Sequence, residues 1–102
     1  MPRKKDNLRT EIKSLLSTSL EGRRIKVIFH PDSSIMSLGE IDIVGETRGT
    51  LMVKCHDGEY RLVPKAPNAR FQFEMKHGKV TLPGTRLIGT PKQRRKQKLS
   101  KW

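Results

Sequence analysis

From Ile25 to Leu82 apolar side chains return at every second position, in short runs cut off by glycine or proline. That period belongs to strands with one buried face, and it limits the middle of the chain to antiparallel β structure. Ile25, Val27 and Phe29 alternate as far as His30-Pro31, where proline removes a ladder donor and ends the strand. Gly39, Ile41 and Ile43 alternate with Glu40, Asp42 and Val44, and Gly45 to Gly49 turns the chain into Thr50 to His56, with Leu51, Val53 and Cys55 inward. Asp57-Gly58 predicts a type I′ hairpin, which needs positive φ at both central residues. Glu59 to Pro64, Arg70 to Met75 and Lys79 to Leu82 complete the set, the last two joined at His77-Gly78. Gly39, Gly45 and Gly49 are available for bends and bulges. The expectation is a mainly β fold, a small, strongly bent antiparallel barrel, because closure removes aggregation-prone edges.

Ahead of the strands the period changes. Leu8, Ile12, Leu15, Leu16 and Leu20 follow helical spacing over residues 5–20, with Lys5, Arg9 and Lys13 opposite. Asp6 or Asn7 can cap this amphipathic helix, and Ser17, Thr18, Ser19 and Gly22 weaken its end. After the strands, Thr90-Pro91 resembles an N-cap with proline at the first helical position, and Leu99 and Trp102 are the only apolar residues from Lys92 onward. So short and basic a segment has too little apolar area to hold itself, so it is expected to be a marginal helix or disordered. The chain therefore divides into a basic N-terminal segment with the helix (1–22), the barrel (23–89) and a basic C-terminal tail (90–102). With 102 residues there is one core and no room for a second.

Charge is distributed unevenly between these parts. Lys and Arg number 22 against 10 acids, a net +12. Residues 1–24 carry 7 basic and 3 acidic side chains, 25–85 carry 8 and 7, and 86–102 carry 7 and none. A near-neutral middle with two basic ends attracts a large acidic polymer. The single Cys55 offers no intrachain disulfide and fits a reducing compartment, and no apolar run approaches the 18 residues of a membrane span. A soluble, cytoplasmic chain with no membrane partner is expected.

Residues able to do chemistry are scattered. His30, His56 and His77 lack the short spacings that put two metal ligands on one face, Cys55 reads as a small core residue, and Glu40, Asp42 and Glu46 read as a solvated strand face. No glycine-rich stretch matches a phosphate-binding loop. Neither a catalytic residue nor a metal or cofactor bound by this chain is expected. The basic residues say more. Arg23, Arg24, Arg48, Arg61, Arg70, Arg86, Arg94 and Arg95 can grip phosphates with two parallel hydrogen bonds. Lys26, Lys54, Lys65 and Lys76 can extend the charge across the barrel, and Lys92 and Lys96 add to the tail. Aromatics are few, so phosphate and shape recognition of folded RNA fits better than base stacking.

One ordered set of motifs is more specific. Leu38-Gly39-Glu40-Ile41-Asp42-Ile43-Val44-Gly45-Glu46-Thr47 is followed by Thr50-Leu51-Met52-Val53, Val63-Pro64-Lys65, Phe71-Gln72-Phe73 and Leu87-Ile88-Gly89 before the basic tail. From about Leu16 to Lys98 this closely resembles the archaeal ribonuclease P protein component 1 family, the family of the Pop-four protein of eukaryotic ribonuclease P. Gly49 departs from the Asn or Lys common in such turns but meets the same backbone need. The resemblance implies an Sm-like barrel flanked by helical or disordered ends. It also implies an endoribonuclease whose active site lies in its RNA, where Mg²⁺ assists removal of the 5′ leader of precursor tRNA. This chain would then be a non-catalytic subunit, meeting precursor tRNA only indirectly. Its expected partners are ribonuclease P RNA, a zinc-ribbon ribonuclease P protein subunit and other ribonuclease P proteins. Lys65 and Arg48 lie on family motifs, whereas Arg23, Arg24, Lys92, Arg94, Arg95 and Lys96 match the family's basic ends only in character. The apolar face Leu8, Ile12, Leu15, Leu16 and Leu20 needs a cover, either its own barrel or the partner subunit, and is carried forward as a partner-binding candidate. A ring-forming Sm-type RNA chaperone and a ribosomal protein with an SH3-like barrel are the competing readings. Isolated, the chain is expected to be a monomer.

Overall fold

A computed structural model describes residues 4–95, with side chains from Asn7. The expectations for Lys96, Leu99 and Trp102 lie outside the described residues. The element order is α1 (Lys4–Leu16), β1 (Arg24–Phe29), α2 (Ser33–Met36), β2 (Glu40–Glu46), β3 (Thr50–Lys54), β4 (Tyr60–Pro64), β5 (Arg70–Met75), β6 (Gly78–Pro83), α3 (Gly84–Leu87) and α4 (Pro91–Arg95). The strands form one antiparallel sheet in the order β4-β3-β2-β1-β5-β6. The fold is mainly β with helices at both ends, as the periods indicate.

Two irregularities give the sheet its curl. The register shifts between Val27 and Phe29 where β1 meets β5, and between Ile43 and Gly45 where β2 meets β3. An extra residue in one strand bends it and changes which face the following side chains point to. Phe29, expected inward with Ile25 and Val27, is consequently 45% exposed. The curl brings the ends of the sheet together. β4 and β6 share no ladder among the described residues, but the segments that follow them touch: a Cβ on Gly84 would stand 1.8 Å from the Ala66 carbonyl oxygen. Only glycine fits there, since close-packed backbone cannot yield by that much.

The β3–β4 hairpin is not the type I′ turn expected. Among the described residues φ is positive only at glycine, including Gly58 at +84°, so Asp57 keeps a negative φ. The Gly58 N–H donates to the Cys55 carbonyl, the Cys55 N–H to the Glu59 carbonyl, and the Glu59 N–H to the Asp57 carboxylate. That is a three-residue loop closed by a left-handed glycine, another favoured hairpin.

One core joins the sheet to the helices. Leu15, Leu16 and Leu20 are buried together with Leu51, Val63, Phe71, Leu82 and Leu87, Ile12 is 7% exposed, and Leu8 packs against the edge of the cluster. The helix face named as a partner-binding candidate is thus buried in the chain's own core. Each Leu or Ile so buried contributes roughly 1.5–3 kcal/mol. α1 stops at Leu16 rather than near residue 20, because the Ser17 and Thr18 hydroxyls donate back to the Lys13 and Ser14 carbonyls and Gly22 then takes φ +88°. Its Glu11 carboxylate accepts the Lys76 and His77 N–H groups, each at 2.7 Å, and the His77 Nδ1, pinning α1 to the β5–β6 turn.

Candidate nucleic-acid interface

Glu46 reverses its expected role. Period two from Ile41 and Ile43 puts it on the solvent side, but the bulge before Gly45 turns it inward, opposite the buried Leu51. There its carboxylate meets two buried cations. Lys65 Nζ donates to Glu46 Oε1 at 2.8 Å and to the Thr47 carbonyl at 2.7 Å. Arg94 Nη1 donates to the same Oε1 at 2.8 Å and to the Leu87 and Gly89 carbonyls, its Nη2 to the Thr18 carbonyl and its Nε to the Leu16 carbonyl. The Leu20 N–H donates to Glu46 Oε2 at 2.6 Å. Burial alone would raise the Glu46 pKa, but hydrogen bonds from Arg94, Leu20 and Lys65 outweigh it and hold the value at about 2. Burial lowers the Lys65 pKa, opposed by the charge of Glu46.

This node ties four segments into one end of the molecule: the α1 terminus, the β2–β3 turn, the residue after β4, and α3–α4. Backbone bonds complete the junction, from the Gly89 N–H to the Arg48 carbonyl at 2.8 Å and from the Lys65 N–H to the Gly49 carbonyl at 2.9 Å. With Arg94 turned inward, Lys92 and Arg95 are exposed on α4, and Arg48 is exposed at the turn bonded to Gly89. Residues 86–95 contain no acid, and one carboxylate between Lys65 and Arg94 leaves the interior of this end with a net positive charge. The arrangement holds exposed cations on hydrogen-bonded backbone, suited to phosphate oxygens.

The outer sheet face differs. Register places Lys54 opposite Asp42, Asp42 opposite Arg24, and Glu74 opposite Lys79, a lateral row of alternating sign. Arg24 Nε lies 2.9 Å from Asp42 Oδ1, and Lys26 stands opposite Glu40. The Asp42 pKa is lowered chiefly by the Arg24 hydrogen bond. Cross-strand carboxylates therefore balance much of the charge that Arg24, Lys26 and Lys54 bring.

The sequence-derived basic residues fall into separate groups. Arg48, Lys92 and Arg95 converge at the exposed end. Arg23, half-buried, precedes β1, and Arg70 begins β5 with its guanidinium on its own Ala69 carbonyl. Lys65 and Arg94 are corrected: at 2% and 1% exposure both have their donors occupied inside the protein and present none to an external phosphate. The period held a signal for Lys65, two residues beyond the inward Val63. His30 is also committed: it accepts the Asp32 N–H at Nδ1 and bonds the Pro64 carbonyl at 3.0 Å through Nε2.

Comparison with known proteins converges on one family. The model of the family described as Ribonuclease P/MRP, subunit p29 matches residues 13–97, from α1 past α4. The chain is 37% identical over 78 residues to ribonuclease P protein component 1 of Staphylothermus marinus, covering 76% of this chain and 83% of that protein. It is 31% identical over 86 residues to the protein of that name from Methanocaldococcus jannaschii, covering 84% and 88%. With the Methanococcus maripaludis protein the identity is 32% over 88 residues, covering 84% and 91%.

Proposed function

This chain belongs to the ribonuclease P/MRP subunit p29 family, and from that premise we propose that it serves archaeal ribonuclease P as an RNA-binding, non-catalytic protein subunit. The observation that carries this is the extent of the family match, which takes in the whole sheet and the Glu46, Lys65 and Arg94 node. As such a subunit it associates with ribonuclease P RNA and other components of the enzyme and supports removal of the 5′ leader of precursor tRNA.

How it does so follows from the charge distribution. Arg48, Lys92 and Arg95, with the basic run that continues to residue 101, neutralise phosphates where RNA segments crowd, lowering the Mg²⁺ the RNA needs to fold. Mg²⁺ itself belongs to the RNA, which supplies the cleavage chemistry. A zinc-ribbon subunit is the proposed neighbour among the proteins, the curled sheet is read as an Sm-like barrel, and the cytoplasm is the proposed site of action. Because α1 is already covered, the partner meets other surface than the leucine face. The test is the RNA that copurifies with the tagged chain from cells. Ribonuclease P RNA is expected, whereas ribosomal RNA or a mixture of small RNAs would transfer the protein to one of the competing classes.

A further inference from the structure

The two edges of the sheet are treated differently. On β6 the alternation set by the bond from the Gly84 N–H to the Ala69 carbonyl leaves Lys79, Thr81 and Pro83 facing outward along the edge. Lysine and proline are the residues that guard a free edge against pairing. On β4 the corresponding bonds are from the Cys55 N–H to the Glu59 carbonyl and from the Lys65 N–H to the Gly49 carbonyl. Antiparallel alternation then turns the N–H and C=O of Tyr60 and Leu62 away from β3, toward a side where no strand pairs with β4 among the described residues. Their side chains are 67% and 66% exposed and, with Met52 at 40% and Val44, line a shallow apolar cleft. Arg61 borders that cleft, and Lys54 stands 5.9 Å from the centre of the Tyr60 ring.

Resting on the reading above, we infer that β4 is a docking edge for an extended, apolar segment with acidic flanks, contributed by another protein component of the enzyme. Free donors and acceptors beside an alternating apolar cleft are what strand addition requires. Arg61 selects acidic flanks by charge, with a smaller contribution from Lys54, which Asp42 partly balances. Lys54 already occupies one face of the Tyr60 ring, which disfavours a stacked base, and Met52, Leu62 and Val44 offer nothing to a phosphate. The edge is short, bounded by the Asp57-Gly58 turn and by Pro64, whose carbonyl is bonded to His30, so the segment adds about two residues of ladder.

Hydrogen exchange of the full-length chain, alone and then mixed with the other purified ribonuclease P proteins before and after RNA is added, tests this. At least tenfold slowing of the Tyr60 and Leu62 amides is expected on adding the proteins, without RNA. In Leu62→Lys, a change at an exposed position, that slowing should vanish and affinity for the contributing protein fall at least tenfold, with RNA binding unchanged. Slowing that appears only with RNA would overturn the inference in favour of a nucleic-acid contact. Slowing that grows with the concentration of the chain alone would overturn it in favour of a second copy. Assembly that leaves both amides unprotected would overturn it while leaving the proposed function intact; failure to assemble with any component would remove both.

Discussion

Glu46 is the carboxylate that the buried Lys65 and Arg94 share, and its replacement shows what kind of interaction it makes. Removing one member of a buried ionic node strands the others without a counter-charge, which costs about 3–5 kcal/mol. Glu46→Gln should lose stability in that range by urea denaturation, whereas exposed Glu40→Gln should lose under about 0.5 kcal/mol. Acidity probes the same residue. Its folded pKa, about 2, lies below its ordinary 4.5, so the stability it contributes is present above about pH 4.5 and is lost as the pH falls toward 2. Allowing for solvent screening, the loss is about 2 kcal/mol. Glu11, Asp32 and Asp42 are lowered too, so the expected result is a steeper acid dependence in the native chain than in Glu46→Gln. Equal slopes would dismiss the node as a stabilising feature. At this scale the sequence was half legible. Parity from Val63 already turns Lys65 inward, and Gly45 was a residue suited to a bulge, but alternation in β2 does not say that a residue has been inserted there and so does not reveal the reversal of Glu46.

Elements with several turns or a clear period were readable, and of the single-turn ones only α4 announced itself, through its cap. Most strands and α1 follow from apolar spacing, while β4 follows from the Asp57-Gly58 turn before it, since its alternating Tyr60 and Leu62 are exposed and only Val63 is buried. α2 and α3 span four residues each, too few to display a helical period, although Asp32, which accepts the Ser34 N–H, is an ordinary cap. α4 was half readable: it starts at Pro91 as Thr90-Pro91 indicates, with the Thr90 hydroxyl accepting the Gln93 N–H, but what orders it was not visible. Counting apolar area alone leaves residues 91–95 without a reason to order, yet one guanidinium donates from all three of its nitrogens to carbonyls of α1 and α3–α4 and to Glu46. Arg94→Ala should therefore release α4: its amide exchange should approach that of unstructured chain while β1, β2 and β5 remain protected. Continued protection of residues 91–95 in that variant would mean that another contact holds the helix.

For the whole molecule, the consequence is a field concentrated at one end. The outer sheet face balances its cations with cross-strand carboxylates, while the junction of the β2–β3 turn with α4 carries Arg48, Lys92 and Arg95 without an acid in residues 86–95. RNA affinity should depend steeply on salt. About eight phosphate contacts give a slope of log K against log[salt] of roughly −6 to −7, and a slope near −1 would contradict phosphate recognition. The most direct measurement is the Mg²⁺ requirement of precursor tRNA cleavage by ribonuclease P reconstituted with this subunit. With Arg48→Gln, Lys92→Gln and Arg95→Gln combined, half-maximal cleavage should require more Mg²⁺, about twofold or above, and saturating Mg²⁺ should restore most of the rate. The outer-face combination Arg24→Gln, Lys26→Gln and Lys79→Gln should leave the requirement near that of the native protein. An unchanged requirement in the first variant, or an equal rise in the second, would contradict a subunit that screens RNA phosphates from its basic end.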